Sequence, residues 1–125
     1  MTDLFTKLQT VAIPVDDQDR TKALLEDLGF HTTMDAELQP GFRWVELAFP
    51  DDGEGATLSL VTAGDGLPTG IDTGIRLLTT DARTAHALVS SKGLAVGELL
   101  DWGSAPLMFS FLDHDGNRFY VSENG

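Results

Sequence analysis

Two stretches of this chain, 64 residues apart, carry the same punctuation. Asp17 falls on Asp81, Ala23 on Ala87, Leu24 on Leu88 and Gly29 on Gly93. Each stretch opens on an aspartate that can cap a helix, runs through apolar residues at helical spacing, and stops at a glycine suited to a left-handed C-cap. Strand-like alternation surrounds each helix. In the first half Leu8 to Val15 reads as a strand, and Thr21 to Leu28 as a helix behind Asp16 and Asp17, with apolar Ala23, Leu24, Leu25 and Leu28. Phe30 to Leu38 reads as a weak edge strand, and Phe42 to Phe49 and Ala56 to Thr62 as two more strands around the turn Pro50-Asp51-Asp52-Gly53. Gly64 to Thr73, glycine-rich and carrying Pro68, reads as a connector. The order then restarts: Thr73 to Thr79 a strand, Asp81 to Lys92 a helix, and Leu94 to Leu100, Leu107 to Leu112 and Arg118 to Glu123 three strands. Asp115-Gly116 supplies a hairpin turn that matches Asp52-Gly53 after a small adjustment. The recurrence predicts an α+β fold of two paired βαβββ modules, about 8–62 and 73–124, joined by a linker over 63–72 in a single domain. A half-sheet that packs its helix on one face leaves the other face to cover something. That need is a physical invitation to form a cleft.

The chain has 125 residues, enough for one domain. It has no cysteine, which excludes disulfides, thiolate metal sites and cysteine nucleophiles. Eight basic residues against twenty acidic ones give a net charge of −12. Such a field repels phosphate backbones and anionic lipid, so no nucleic-acid or membrane partner is expected, and it attracts cations. No apolar run has the length of a membrane span, and the opening Met-Thr-Asp-Leu-Phe-Thr-Lys lacks the layout of a signal peptide. The expected location is the cytoplasm.

Three segments together, VAIPVDDQDRTKALLEDLGF, GFRWVELAFP and MFSFLDHDGNRFYVSE, resemble the vicinal oxygen chelate superfamily. That group holds glyoxalase I, extradiol dioxygenases, and fosfomycin- and bleomycin-resistance proteins. The resemblance runs from about Leu8 to Glu123, and its most specific part is the closing D-x-D-G-N-R-F-Y-V segment, with His114 where proline is usual. It implies the glyoxalase/bleomycin resistance/dihydroxybiphenyl dioxygenase-like fold, with curled mixed sheets around a cleft, commonly completed in a homodimer around a small-molecule pocket.

Members that do metal chemistry take His, Gln or Glu ligands from the first, fourth, fifth and eighth strands. Carried over one by one, those positions fall here on Thr10, Ser59, Gly74 and Tyr120. Hydroxyls, a phenol and a glycine do not make a site for zinc, iron or manganese. A one-residue slip in register supplies no ligand either. The three histidines, His31, His86 and His114, are expected on the surface, so neither a metal nor any other cofactor is expected.

Strand alternation names a lining. With Val11, Ile13 and Val15 under the helix, Thr10, Ala12 and Pro14 face the cleft. By the same parity Trp44, Glu46, Thr57 and Ser59 face it in the first half, and Arg76, Leu78, Met108, Ser110, Arg118, Tyr120 and Ser122 in the second. Of these, Trp44, Glu46, Ser59, Arg76, Met108, Ser110 and Tyr120 are the candidate ligand-binding residues. Two aromatics, an adaptable methionine and a few polar groups suit a small-molecule pocket. Glu46 and Arg76 either pair with each other or contact ligand, and Arg118 reaches the rim. No catalytic residue is assigned, because no histidine on this face can activate a serine and the paired aspartates sit in turns and caps. Three readings fit these residues: a metal-free sequestering protein for an aromatic or cationic molecule, an enzyme of the same fold with a noncanonical site, and a non-catalytic module whose cleft its own side chains fill. The first is preferred, because the fold is kept while all four ligand positions lack ligands.

Overall fold

The computed structural model describes residues 4–50, 55–64 and 66–124. The chain forms two compact units, Met1–Ala63 and Gly64–Gly125, termed module one and module two. Among the described residues they carry two mixed sheets and two helices, the α+β architecture expected. The turn at Asp51-Asp52-Gly53 lies outside the described residues.

Module one runs β1 (Thr10–Val15), α1 (Gln18–Asp27), β2 (His31–Gln39), β3 (Phe42–Ala48) and β4 (Thr57–Thr62), in the sheet order β1-β4-β3-β2. β1 pairs parallel with β4, and the other ladders are antiparallel. Asp17 caps α1, its carboxylate accepting from the Arg20 N–H at 3.1 Å. Gly29 follows the helix at φ +107, a conformation that a side chain resists. The helix lies on β2, β3 and β4. It buries Thr21, Leu24 and Leu25, while the sheet buries Ile13, Val15, Val45, Leu47, Leu58 and Leu60 at every second position. Each such aliphatic side chain contributes about 1.5–3 kcal/mol on burial. Ala23, expected in this core, is exposed, since it lies one step round the helix from Leu24. Pro14 is accommodated because β1 is an edge strand, whose missing N–H interrupts no second ladder.

Polar side chains fasten α1 to the sheet. Gln18 Nε2 donates to the Arg43 and Leu60 carbonyls at 3.0 and 2.8 Å. Arg43 bridges Asp35 and Asp19, and Lys22 also reaches Asp35. Hydrogen bonds from Arg43 and then Lys22 hold the Asp35 carboxyl well below the usual carboxylate range.

Module two runs β5 (Asp72–Thr79), α2 (Ala82–Ser91), β6 (Met108–Leu112) and β7 (Arg118–Glu123), in the order β5-β7-β6 with β5 parallel to β7. Its helix repeats the first. Asp81 accepts from the Thr84 N–H at 3.1 Å and from the Thr84 hydroxyl at 2.8 Å, and Gly93 sits at φ +77. The core is aromatic, with Phe109, Phe111 and Phe119 buried and the Phe111 and Phe119 rings stacked at 5.3 Å.

Several expectations are corrected here. Leu94 to Leu100 does not form a continuous strand. It makes two isolated antiparallel bridges to β6, Val96 with Phe111 and Leu100 with Met108. Four residues on, the partner has stepped back by only three, so the segment carries one residue too many and bulges between them. Leu88 is exposed, unlike Leu24 in the equivalent place. His86 is not a solvated residue: its ring stands edge-on to Phe109 at 4.9 Å, with Nε2 2.9 Å from the Gly97 carbonyl oxygen. Helical spacing sets His86 beside buried Ala82 and Val89, and β6 brings Phe109 to its ring. His31 and His114 are exposed as expected.

The hairpin between β6 and β7 is locked by two buried side chains. Asp113 accepts from the backbone N–H groups of Asp115 and Asn117, each at 2.9 Å. Asn117 donates to Asp113, and its carbonyl oxygen accepts from the N–H groups of Gly70 and Ile71. Gly116, in the turn, has φ +81. The Asp-x-Asp-Gly-Asn run thus ties the end of module two to its beginning.

Candidate functional site

The polar faces of the two sheets hold the candidate residues, and each is described within its own module. In module one Glu46 sits at the centre of the sheet, with Met34 of β2 and Ser59 of β4 as its cross-strand partners. Its carboxylate is held by two neutral donors, Trp44 Nε1 at 2.9 Å and Thr57 Oγ1 at 2.8 Å. Trp44 and Glu46 are half-buried and Ser59 is fully buried. The Ser59 and Thr10 hydroxyls lie 2.6 Å apart, and Thr10 also donates to the Thr57 carbonyl.

In module two the corresponding face is aromatic and cationic. The Arg76 guanidinium lies over the Tyr120 ring, 3.8 Å from its centroid. That ring is held at its far end by the hydroxyl, which donates to Asp72 Oδ2 at 2.6 Å. The hydrogen bond holds the Asp72 carboxyl below its ordinary value and pushes the Tyr120 phenol up, because it favours the charged acceptor and the protonated donor. Arg118 is half-buried rather than at the rim, donating to Ser110 Oγ at 3.0 Å. β5 bulges on this face. Asp72 stands opposite Arg118 and Arg76 opposite Tyr120, so four steps along β5 span two along β7, and Gly74 at φ +71 absorbs the excess.

A pocket of about 380 Å³ opens here, lined by Arg76, Met108, Ser110, Tyr120 and Ser122 of the sheet and by Glu98 and Leu100 of the bulged segment. Gly97 lets that segment close on β6: a Cβ there would lie 3.2 Å from Ser110 Oγ and 3.3 Å from the Ser110 carbonyl oxygen. All four module-two candidates therefore line one pocket. Leu78, expected on the same face, is 70% exposed and outside it. The Glu46 carboxylate takes its hydrogen bonds from Trp44 and Thr57, and Arg76 rests on Tyr120, so each ion has partners in its own module. The residue-level reading missed Asp72 and Glu98. The only available signal for Asp72 was an acid just ahead of Thr73-Gly74.

A profile of the Glyoxalase/Bleomycin resistance protein/Dioxygenase superfamily matches residues 7–121. The chain belongs to that superfamily. Two solved structures are alike along nearly the whole length. TnmS3, an antibiotic binding protein from a Streptomyces species, is 26% identical, with 99% of this chain and 100% of that one covered at a TM-score of 0.80. A superfamily member from Sphaerobacter thermophilus is 27% identical over 97% and 99%, at 0.82. A bleomycin-binding protein complexed with bleomycin is 19% identical over 97% and 100%, at 0.63, and shares the fold. Comparison with curated proteins finds no match.

The superfamily's metal chemistry can be tested against the donors present. The Thr10 and Ser59 hydroxyls satisfy one another, Gly74 offers no side chain, and the Tyr120 hydroxyl is engaged with Asp72. Neutral alcohols and a phenol with a raised pKa are poor ligands for zinc, iron or manganese. Among the described residues no three His, Cys, Asp or Glu side chains gather as a metal-holding group. The positions do not fit the family metal. No described helix is long and apolar enough to cross a membrane.

Proposed function

We propose that this superfamily member is a small-molecule-binding protein that works without a metal, sequestering an aromatic or cationic ligand on the faces that carry Trp44, Glu46, Arg76, Met108, Ser110 and Tyr120; Ser59, fully buried against Thr10, is not among the contacts. The observation that carries the reading is the module-two pocket. Its lining includes a methionine, two serine hydroxyls and a tyrosine ring that is held by Asp72 and covered by the planar guanidinium of Arg76. Planar surface plus a few orienting polar groups is what an aromatic ligand requires. The likeness to an antibiotic binding protein over the whole chain supports the same reading. Against a cleft filled by the protein itself stands the exposure of Trp44, Met108 and Tyr120, none of which is fully buried.

We further propose a homodimer. Met34, Leu38 and Phe42 leave apolar side chains 40–52% exposed along the β2–β3 edge, and water-facing apolar patches of this kind favour a covering partner.

Native mass spectrometry with elemental analysis tests both points. A metal-free dimer that accepts small aromatic or cationic molecules, and loses them on Tyr120→Ala, supports the proposal. Stoichiometric metal per subunit, or unchanged binding in a folded Tyr120→Ala variant, overturns it.

A further inference from the structure

We propose that Glu46 is an anchor for a protonated amine, so that the molecules this protein binds carry an alkyl- or arylammonium group. The inference rests on the binding reading above and adds the chemistry of one contact. Glu46 is half-buried at the centre of the module-one sheet, flanked by Met34, Trp44 and Ser59. Its two protein donors, the Trp44 indole N–H and the Thr57 hydroxyl, are neutral. They orient the carboxylate and leave its charge uncompensated. Each carboxylate oxygen retains a further acceptor site. Among the described residues Glu46 forms no ion pair, whereas on the helix side of the same module Asp19 pairs with Arg43, and Asp35 with Arg43 and Lys22. A partly desolvated charge in this position calls for a cation. The indole beside it supplies the second element of an ammonium site, since its ring face attracts cations while its N–H fixes the carboxylate next to it. The chain's net charge of −12 raises the concentration of cations near that site.

The test uses Trp102→Phe protein, in which Trp44 is the one tryptophan left to report. The probes are benzylammonium and its neutral counterpart benzyl alcohol. Benzylammonium should change the Trp44 fluorescence and bind more tightly than the alcohol. Added salt should weaken it, and E46Q should weaken it about tenfold or more, the loss of one charge-assisted contact. The alcohol should bind E46Q and its parent alike. Thermal melts establish that E46Q folds; should it not, Glu46→Asp keeps the charge but withdraws it from Trp44, and should weaken the cation alone. Equal binding of both probes, unaffected by either variant, overturns the ammonium anchor and leaves small-molecule binding standing. Binding of neither probe also overturns the anchor, and the native mass spectrometry screen then decides the wider reading separately.

Discussion

The two modules share a plan and spend it differently. Both begin with a strand, cap a ten-residue helix with an aspartate, end it at a left-handed glycine, and place the last strand beside the first in parallel. Module one then completes a four-stranded sheet whose β1–β4 ladder runs without interruption from Thr10 to Val15, its two register shifts being confined to the outer β2–β3 ladder. Module two interrupts its sheet twice, at Gly74 and in the segment around Gly97, and its pocket opens between those irregularities. The polar faces differ in sign at matching places. Where module one sets a carboxylate, Glu46, under a threonine hydroxyl, module two sets a serine hydroxyl, Ser110, under the guanidinium of Arg118. The helix-facing half of each module is held to the shared plan by packing. The other half is free to bulge and to exchange charge.

That contrast can be broken by core truncation, where the largest effects are expected. Leu60 and Val121 occupy equivalent places opposite Val45 and Phe109. Leu60→Ala should cost about 3 kcal/mol and Val121→Ala about 2 kcal/mol in urea denaturation, the transfer loss plus a cavity. A larger cost at Val121 would mean that module two is the more tightly packed. Next comes the lock peculiar to module two. Asn117→Ala leaves the N–H groups of Gly70 and Ile71 and the Asp113 carboxylate short of a partner, and should cost about 2 kcal/mol.

The caps should show the shared plan at a smaller scale. Asp17→Ala and Asp81→Ala should each lower Tm by about 5 °C, and a wide disparity between them would argue against equivalence. The Asp81 carboxyl is held below its ordinary value by the Thr84 N–H and then the Thr84 hydroxyl. Its contribution is therefore present above the unfolded value and lost as pH falls through the folded one, and Asp81→Asn should flatten that acid limb. The smallest effect is spectroscopic. Tyr120 is the sole tyrosine, so absorbance titration reads it alone. Its midpoint should lie above 10.0 and fall in Asp72→Asn. Being raised on folding, it favours the folded state below its unfolded value and ceases to do so as pH climbs through the folded value.

How much of this was legible beforehand depends on distance along the chain. Helix starts and stops are local, and Asp17, Gly29, Asp81 and Gly93 announced them. Strand parity is local too, which is why Arg76, Met108, Ser110 and Tyr120 could be grouped before their pocket was seen. The bulges were not legible, because a Thr-Gly-Ile run suits a regular ladder as well as a bulge. The choice is made by β7, more than forty residues away. The same holds for Leu94 to Leu100, whose extra residue shows only against β6. His86 sits beside the buried stripe of Ala82 and Val89 and is half-buried, and its contact with Phe109 of β6 lies too far along the chain for helix spacing to show. The partners of Glu46 lay among residues already assigned to its face, but parity carries no information about which hydroxyl turns toward which acid.

The position of β4 and β7 inside their sheets has a consequence for the order in which the molecule is made. Each module's opening strand has to wait, one edge bare, until the strand that covers it leaves the ribosome; Thr10 meets Thr57 47 positions later. Module one has all its strands by Thr62, before β5 has begun. Module two stays open until Arg118 to Glu123 arrives, so a nascent chain halted just short of that point would carry one finished sheet followed by two unmatched edges.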